Sequence, residues 1–446
     1  MPEDALKRKL GLFPATNIVV ANMIGAGIFT TSGLLMAQLN NPVLMLGLWI
    51  VGGIIALCGA ISYGELGANI PQAGGEYQFL KELYHPMLGF LSGWVSFIVG
   101  FSAPIAASAM GFSEYLLRAF PASVLLNEST GILDPGIIKN LISIAVILIF
   151  TVIHYRGIEF GSRVQDLLTV LKILLIVVLL AAGIITQQGD PGNFTGGERF
   201  SGGFDGWKTI GLSLMWIMFA YSGWNASTYI GSEIKSPERN LPGSLLIGTT
   251  IVLLLYIGIN AIYIYSIPGD EIKGVIAIGG LAMKNLFGSP AETLFSLLIA
   301  FALFSSLSAF IIIGPRVYYS MAKDGLFFKS IARIHPTFKV PSNAIVLQSV
   351  IAIIMVLSGT FEQILTYMGF ALGIFPVLTV FAVFKLRQRK SSAIKLRGFP
   401  VPQIIYMTAG ILILTLAFLE RPVASSVALL TVVTGIPAYF LFRREK

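Results

Sequence analysis

Charged residues are scarce in this chain of 446 residues. Asp, Glu, Lys and Arg make up 12% of the sequence, 55% of it is hydrophobic, and the mean hydropathy is +0.82. A soluble globular protein carries about 25% charged residues, so this deficit excludes an ordinary water-soluble enzyme. Disordered chains are poor in aromatic residues, and an aromatic content of 11% excludes that class as well. The composition therefore predicts one polytopic membrane unit over residues 1–446.

Cysteine occurs once and histidine three times. The single Cys58 lies in an apolar run, so the chain can form neither a disulfide framework nor a cysteine-based metal site. The histidines lie near loops, and the apolar segments contain no nucleophile–base pair or cluster of metal ligands. We therefore expect no enzymatic activity, no cofactor and no bound metal.

Apolar stretches long enough to cross a bilayer recur along the whole sequence. A spanning helix needs about 20 apolar residues, and twelve such helices leave no room for a large soluble domain. The sequence thus predicts an all-α membrane protein with twelve transmembrane helices. The segments fall near 11–39, 42–67, 86–118, 136–155, 160–186, 207–234, 241–267, 291–322, 341–360, 361–386, 400–419 and 422–442.

Lysine and arginine are distributed unevenly among the connections. The N-terminal segment, the even-numbered connections and the C-terminal segment hold 21 of these residues, whereas the odd-numbered connections hold 7. Because cytoplasmic loops carry an excess of positive charge, we expect both termini to face the cytoplasm, across the plasma membrane. The same bias accounts for the net charge of +8, so no binding to nucleic acid is expected.

Two segments contain residues that a plain lipid-facing helix avoids. Segment 1 carries Gly25 and Gly27 in the run 22–29, and segment 6 carries the mixed run 219–225. Each run lies about 20 Å from the start of its segment, near the middle of the bilayer. Glycine can serve merely as a packing device in membrane helices. Interrupted helices at corresponding positions of two halves, however, indicate the binding site of a transporter, and we predict a break in both segments.

The two predicted breaks would place four helix ends at the centre of the membrane. Helix N-termini attract anions through their free amides, and helix C-termini attract cations. One small site could then hold both a carboxylate and an ammonium group, as the head group of an α-amino acid requires. Exposed backbone is tolerated in the hydrocarbon only where it is buried in protein or lines a cavity, so we also expect a cavity there.

The side-chain end of the substrate is inferred from the positions of the acidic residues. Those near the apolar segments lie at segment ends, and Asn225 stands beside the second break where an acid could have stood. A small or medium neutral side chain is therefore the preferred prediction. A cationic amino acid or polyamine carrier of the same fold remains an alternative. A channel is a further alternative, but channels need a lined continuous pore, and no repeated filter sequence is present.

Lys172 lies 12 residues into segment 5, and a lysine at the centre of a membrane helix costs about 2.5–3.5 kcal/mol. It is therefore not expected to face lipid. One interpretation is a tethered ammonium that takes the place of a sodium ion near the breaks; the other is a purely structural bond to helix-end carbonyls. Ser305, Ser306 and Ser308 of segment 8 are candidates to line the same region.

Several motifs, taken in order, make the chain resemble the amino acid–polyamine–organocation (APC) transporters, within them the L-type amino acid transporter-like branch and its prokaryotic relatives. The resemblance covers essentially the whole chain. The motifs are Gly25-Ala26-Gly27-Ile28-Phe29, Tyr63-Gly64-Glu65-Leu66-Gly67, Pro71-Gln72-Ala73-Gly74-Gly75-Glu76-Tyr77, Phe219 to Trp224, Glu233-Ile234, Pro237-Glu238-Arg239-Asn240-Leu241-Pro242 and Gly314-Pro315-Arg316-Val317-Tyr318-Tyr319.

This resemblance implies a LeuT-like 5+5 inverted repeat that works by alternating access. The repeats would be residues 11–186 and 207–386, with helices 11 and 12 added over 400–442. It also implies sodium-independent transport, because Lys172 aligns with a lysine of sodium-independent members, and it leaves exchange and proton symport open. By position, the amides of Gly25, Ala26 and Gly27 would hold the substrate carboxylate, and the carbonyls of Met23, Phe219 and Ser222 its amino group, with the Phe219 ring as a gate.

The resemblance also bears on protein partners. Animal L-type light subunits carry a cysteine after segment 3 that bonds an ancillary glycoprotein, and the stretch 119–135 has none here. We therefore expect no disulfide-linked ancillary subunit, and only an amino acid and the lipid bilayer as partners.

Overall fold

The computed structural model describes residues 8, 10–120, 135–156, 158–198, 200, 202–338, 340–359, 361–389 and 394–444. Within these ranges the protein is helical, and its only β-type pairing is an isolated bridge between Leu10 and Ile234. Ten of the described helices are long and apolar enough to cross a membrane. The predicted all-α membrane class is confirmed.

Each predicted segment coincides with a helix or with an interrupted helix, and we number helices 1 to 12 accordingly. All ends except that of segment 6 agree within four residues. The bounds are Leu12–Met23 (helix 1a), Ala26–Leu39 (1b), Pro42–Asn69 (2), Pro86–Val95 with a π-turn at Ser96–Gly100 and Ser102–Ala119 (3), Pro135–Tyr155 (4), Ile158–Thr186 (5), Phe204–Ala220 (6a), Ala226–Tyr229 (6b), Pro237–Ser266 (7), Ser289–Lys323 (8), Ser342–Ser358 (9), Phe361–Gln388 (10), Val401–Glu420 (11) and Pro422–Arg444 (12).

Helices 1 and 6 are both interrupted where the sequence predicts a break. Helix 1 is interrupted at Ile24 and Gly25, and helix 6 over residues 221–225. Gly223 has a φ of +98°, in the left-handed region that glycine adopts without strain.

Helix 6b is much shorter than the prediction that segment 6 continues to residue 234. After Tyr229 the chain forms a 3-10 turn over Gly231–Glu233 and then becomes extended at Ile234. The Lys235 amide donates to the Leu10 carbonyl (2.8 Å), and the Leu10 amide donates to the Glu233 carbonyl (3.0 Å). Pairing with the segment before helix 1 therefore replaces the last helical turns.

The interrupted helices lie at the centre of the bundle. Helices 1, 3 and 8 are largely buried, whereas helices 4, 5, 11 and 12 expose most of their apolar surface. The most extensive contacts join helix 2 to helix 7 and helix 3 to helix 8, and helix 1b packs against helix 6a. Lipid would cover the outer helices, so the inner ones can carry the polar groups of a site.

A buried ion pair joins the end of helix 2 to the end of helix 10, and further hydrogen bonds connect it to the segment after helix 10. The Arg387 guanidinium donates two hydrogen bonds of 2.6 Å to the fully buried Glu65 carboxylate. The Leu396 amide donates a third (2.9 Å), and the Leu396 carbonyl accepts from Arg387 (2.8 Å). The second and tenth connections therefore lie on the same face of the protein.

We expect an Arg387→Ala variant to be clearly less stable, because it leaves the Glu65 charge buried without its partner. Breaking one side of a buried pair costs about 3–5 kcal/mol. The measurement is thermal unfolding of the purified protein in detergent, with Arg443→Ala, at an exposed position of helix 12, as the control. Equal melting temperatures for both variants would contradict the structural role of this pair.

Candidate functional site

The first break ends helix 1a with a group of carbonyl oxygens that point to side chains from three other helices. The Lys172 ammonium of helix 5 donates to the carbonyls of Ala21 (3.1 Å) and Ile24. The Ser306 hydroxyl of helix 8 donates to the Ile24 carbonyl (2.7 Å) and accepts from Lys172 (3.0 Å). The negative end of helix 1a is thus held by a cation and a hydroxyl, as its dipole requires.

Tyr256 of helix 7 joins the two breaks to each other. Its hydroxyl lies 2.6 Å from the Met23 carbonyl and 3.0 Å from the Ala220 carbonyl, the last residue of helix 6a. This tyrosine was not selected from the sequence, because it lies in an ordinary apolar segment. Its depth in helix 7, opposite both runs, is the signal that could have identified it.

Helix 1b begins at the break with an N-terminus that no side chain caps. The first amides of a helix have no partner within it, so those of Ala26 and Gly27 are available to a small anion. Gly25 occupies the N-cap position in an extended conformation. The start of helix 1b therefore has the features of an anion site next to the carbonyl end of helix 1a.

The two breaks are in direct contact, and glycine makes that contact possible. A Cβ on Gly27 would lie 2.6 Å from the Ala220 Cα, and a Cβ on Gly223 would lie 2.8 Å from the backbone carbon of Asn22. Both separations are too short for any larger residue unless the backbone shifts. The closeness of helices 1 and 6 thus depends on these two positions.

A small cavity of about 10 Å³ lies between the breaks. That volume is near the minimum that holds one water molecule, so an amino acid would need the site to widen. The structure brings together all six residues that the family resemblance assigns to substrate binding, and all of them line this cavity. They are Met23, Gly25, Ala26, Gly27, Phe219 and Ser222.

A larger cavity of about 110 Å³ adjoins the small one. Asn22, Phe219, Ser222 and Phe310 line both cavities. Phe219 is 6% exposed, and its backbone carbonyl accepts from the Ser222 amide (2.8 Å) at the end of helix 6a. Its position between the two spaces is the one that a gating ring would occupy.

The larger cavity contains a carboxyl group that the sequence reasoning missed. Glu76 opens the short connecting helix Glu76–Leu83 between helices 2 and 3, and it lines the cavity although it is only 7% exposed. Its carboxylate accepts from the Asn225 amide nitrogen (3.0 Å). Glu76 lies in a connection outside the apolar segments, and the fold turns this connection inward. A buried acid therefore borders the cavity, although it lies outside the predicted apolar segments.

Two consecutive glycines place Glu76 at this position. Gly74 and Gly75 both have positive φ, +118° and +53°, and form the turn before the connecting helix. A Cβ on Gly75 would lie 2.6 Å from the Tyr229 ring. The sequence signal here is only the glycine pair followed by an acid; the closeness of this turn to the second break comes from the fold.

The three serines of helix 8 have different partners. Ser306 is the only one of them that contacts Lys172. Ser305 contacts Thr169 and Gln165 of helix 5, each at 3.1 Å, and Ser308 contacts His154 at 2.9 Å.

In the part of the chain that the structure describes, no three His, Cys, Asp or Glu residues are grouped as metal ligands would be. Residues 121–134, most of the stretch relevant to an ancillary subunit, lie outside that part.

Comparison with known proteins gives a match over nearly the entire chain. Residues 10–438 match the family described as Amino acid permease. The Bacillus subtilis serine/threonine exchanger SteT is 29% identical over 100% of this chain and 99% of its own length. Mouse b(0,+)-type amino acid transporter 1 is 27% identical over 98% of this chain and 88% of its own. The human large neutral amino acids transporter small subunit 2 is 27% identical over 98% and 81%.

Proposed function

Since the chain belongs to the amino acid permease family of APC transporters, we propose that it exchanges small neutral L-amino acids across the plasma membrane by alternating access and without sodium. Amino acid transport, rather than an enzymatic reaction, is the activity that its family and its relatives support. The preference for neutral side chains, the independence from sodium and the exchange mode are the proposed refinements.

The observation that carries the proposal is that the helix ends at both breaks line one small cavity. The carbonyl end of helix 1a and the uncapped N-terminus of helix 1b meet at one small cavity. In the proposed site the amides of Gly25, Ala26 and Gly27 bind the substrate carboxylate. The carboxylate and the ammonium group of an α-amino acid are attached to the same carbon. A helix N-terminus binds the first and a helix C-terminus the second, so two adjacent helix ends of opposite polarity suit such a substrate.

The substrate ammonium is assigned to the carbonyl oxygens of Met23, Phe219 and Ser222. The Met23 carbonyl already accepts from Tyr256, and the Phe219 carbonyl from the Ser222 amide. A carbonyl oxygen has two acceptor positions, so each can also accept from an ammonium group. These two carbonyls can therefore keep their present hydrogen-bond partners, and the proposed site needs widening.

The proposal of sodium independence is supported by Lys172. Its ammonium is fully buried and is bonded to the carbonyls of Ala21 and Ile24 and to Ser306. Oxygen ligands of this kind would suit a sodium ion, and a fixed positive charge in their midst repels one. A structural role of the lysine at the break is compatible with this assignment, because both depend on the same bonds.

The proposed membrane arrangement has both termini in the cytoplasm and two inverted repeats, residues 11–186 and 207–386, followed by 400–442. The packing of helix 2 on helix 7 and of helix 3 on helix 8 joins elements five apart, as such repeats require. The bridge between Leu10 and Ile234 holds the segment before helix 1 beside the sixth connection. We propose that the protein acts without a disulfide-linked subunit, since 119–135 contains no cysteine.

A Phe219→Ala variant is expected to show severalfold faster unidirectional efflux, because it removes the ring between the two cavities. Lids that close over a substrate couple its movement to the conformational cycle. The measurement is efflux of radiolabelled L-serine from proteoliposomes into a buffer without amino acids. Phe440→Ala, on the exposed face of helix 12, is the control. If both efflux and exchange are unchanged in Phe219→Ala, the gating role assigned to Phe219 is contradicted.

Glu76 favours a second candidate, a carrier of cationic amino acids or polyamines. A buried carboxylate at the edge of the cavity could pair with an ammonium or guanidinium group. Competition against uptake of L-serine decides between the two candidates. L-alanine should inhibit this uptake if the protein carries neutral amino acids, and L-lysine or putrescine should inhibit it if the protein carries cationic substrates.

The test of the proposed function is uptake of radiolabelled amino acids into proteoliposomes. Each amino acid is placed inside and outside in turn, with sodium or choline as the cation. We expect internal L-serine or L-threonine to accelerate uptake of external L-serine equally in both salts. No acceleration by any internal amino acid would contradict exchange, and a requirement for sodium would contradict the role given to Lys172.

A further inference from the structure

Glu76 connects three of the elements that surround the larger cavity. Besides the bond from Asn225, its carboxylate lies 3.5 Å from the Tyr229 hydroxyl of helix 6b and 3.4 Å from the Ser92 hydroxyl of helix 3. The Asn225 amide also donates to Tyr229 (3.2 Å). The carboxyl group therefore links the connecting helix to the second break and to helix 3.

The groups that face Glu76 are uncharged. The titratable side chains that interact with it are Tyr63 of helix 2, Tyr229 of helix 6b and Tyr406 of helix 11, and phenols stay neutral at physiological pH. Within the described residues no Lys, Arg or His forms an ion pair with Glu76; Lys81 of the same connecting helix is paired with Asp324 (2.7 Å). The carboxylate thus has neutral donors but no compensating charge.

A buried carboxylate without a cation is unfavourable, and such groups usually take up a proton instead. Burial raises the pKa of the Glu76 carboxyl from its ordinary value of 4.5 to about 7, although hydrogen bonds from its neighbours oppose the change. The group is therefore poised to bind and release a proton under physiological conditions.

We propose that Glu76 is a proton-binding site in the wall of the cavity, and that its carboxyl must be protonated for helices 2, 3 and 6b to close around it as they do here. In the open state water reaches the carboxylate, which then ionises. Closing removes that water and requires proton uptake first. This inference extends the proposed transport function. Its prediction for the exchange rate rests on that function, whereas proton binding by Glu76 does not.

The stability of the protein tests proton binding without any transport. An acid with a raised pKa in the folded state costs stability as the pH rises from about 4.5 to 7, and the cost then stays constant. Between pH 5 and pH 8 we expect the melting temperature of the wild type in detergent to fall by roughly 3 °C more than that of Glu76→Gln. Other titrating groups, including the histidines, contribute equally to both proteins.

The exchange rate supplies the second readout. With L-serine on both sides of the proteoliposome membrane, the wild-type rate should fall roughly tenfold from pH 6 to pH 8, as the protonated fraction does. The Gln side chain of Glu76→Gln imitates the protonated carboxyl group, so the exchange rate of this variant should change by less than about twofold between pH 6 and pH 8. The matched control is Glu82→Gln, an exposed carboxyl on the same connecting helix, which should behave like the wild type.

If Glu76→Gln does not fold, Glu76→Asp keeps a carboxyl group, and its pH dependence of melting should follow that of the wild type. The same pH dependence of melting in wild type and Glu76→Gln would overturn the proposal. A pH-independent difference in melting, with loss of inhibition by L-lysine in Glu76→Gln, would also overturn it and assign an ionised subsite for a cationic side chain. Absence of exchange in the wild type would refute the proposed function instead, while the melting curves still decide on the proton site.

Discussion

A Lys172→Met variant is expected to lose at least about nine-tenths of its exchange activity. Methionine has nearly the same length and apolar stem, so the change removes the ammonium and little else. The Ala21 carbonyl then loses its side-chain donor in a buried site, where an unsatisfied group costs about 1–3 kcal/mol, and the Ile24 carbonyl keeps only the bond from Ser306. A cost of 1.4 kcal/mol already corresponds to a factor of ten.

The measurement is the initial rate of L-serine exchange in proteoliposomes at equal protein content. Lys284→Met, at a half-exposed lysine of the helix Ile278–Phe287, is the control that also removes a positive charge. Repeating the Lys172→Met measurement with sodium and with choline tests the specific role of the ammonium. Exchange at the wild-type rate in Lys172→Met would show that neither the position of helix 1a nor ion selection depends on this residue.

A Gly25→Val variant is expected to fold and yet to lose transport almost completely. Gly25 has an extended backbone, and a Cβ there would lie 3.5 Å from the Ser306 hydroxyl, an ordinary contact. The two γ-methyl groups of valine, however, would enter the cavity of about 10 Å³ between the breaks. The substrate carboxylate could then no longer approach the first amides of helix 1b.

The matched control for this variant is Gly47→Val in helix 2, where a Cβ would have no neighbour within 4 Å. Both variants are compared for yield, for size-exclusion profile and for uptake of L-serine. We expect normal protein in both and uptake in the control alone. Normal uptake by Gly25→Val would contradict recognition through the backbone at the first break.

The helices and their breaks were predictable because their causes are local. Long apolar runs specify spanning helices, and Gly25, Gly27 and Gly223 weaken the helix at the depth where polar residues gather. The end of helix 6b was predicted wrongly. A tertiary contact decides it, since residues 233–235 pair with Leu10, far away along the chain.

The site was only partly predictable for the same reason. The sequence selects Lys172 by its depth in helix 5, but it does not distinguish Ser306 from Ser305 and Ser308, which depends on the rotation of helix 8. Glu76 lies in a connection that reads as a loop, and only the fold shows that it turns into the cavity.

The central claim is that the ends of helices 1a and 1b, with the break in helix 6, bind the charged head group of an α-amino acid. Competition against exchange of radiolabelled L-serine tests it most directly, with unlabelled L-serine, L-serine methyl ester and N-acetyl-L-serine as competitors. The ester lacks the carboxylate and the acetylated form lacks the ammonium. The account predicts that only L-serine competes; inhibition of equal strength by either derivative would contradict it.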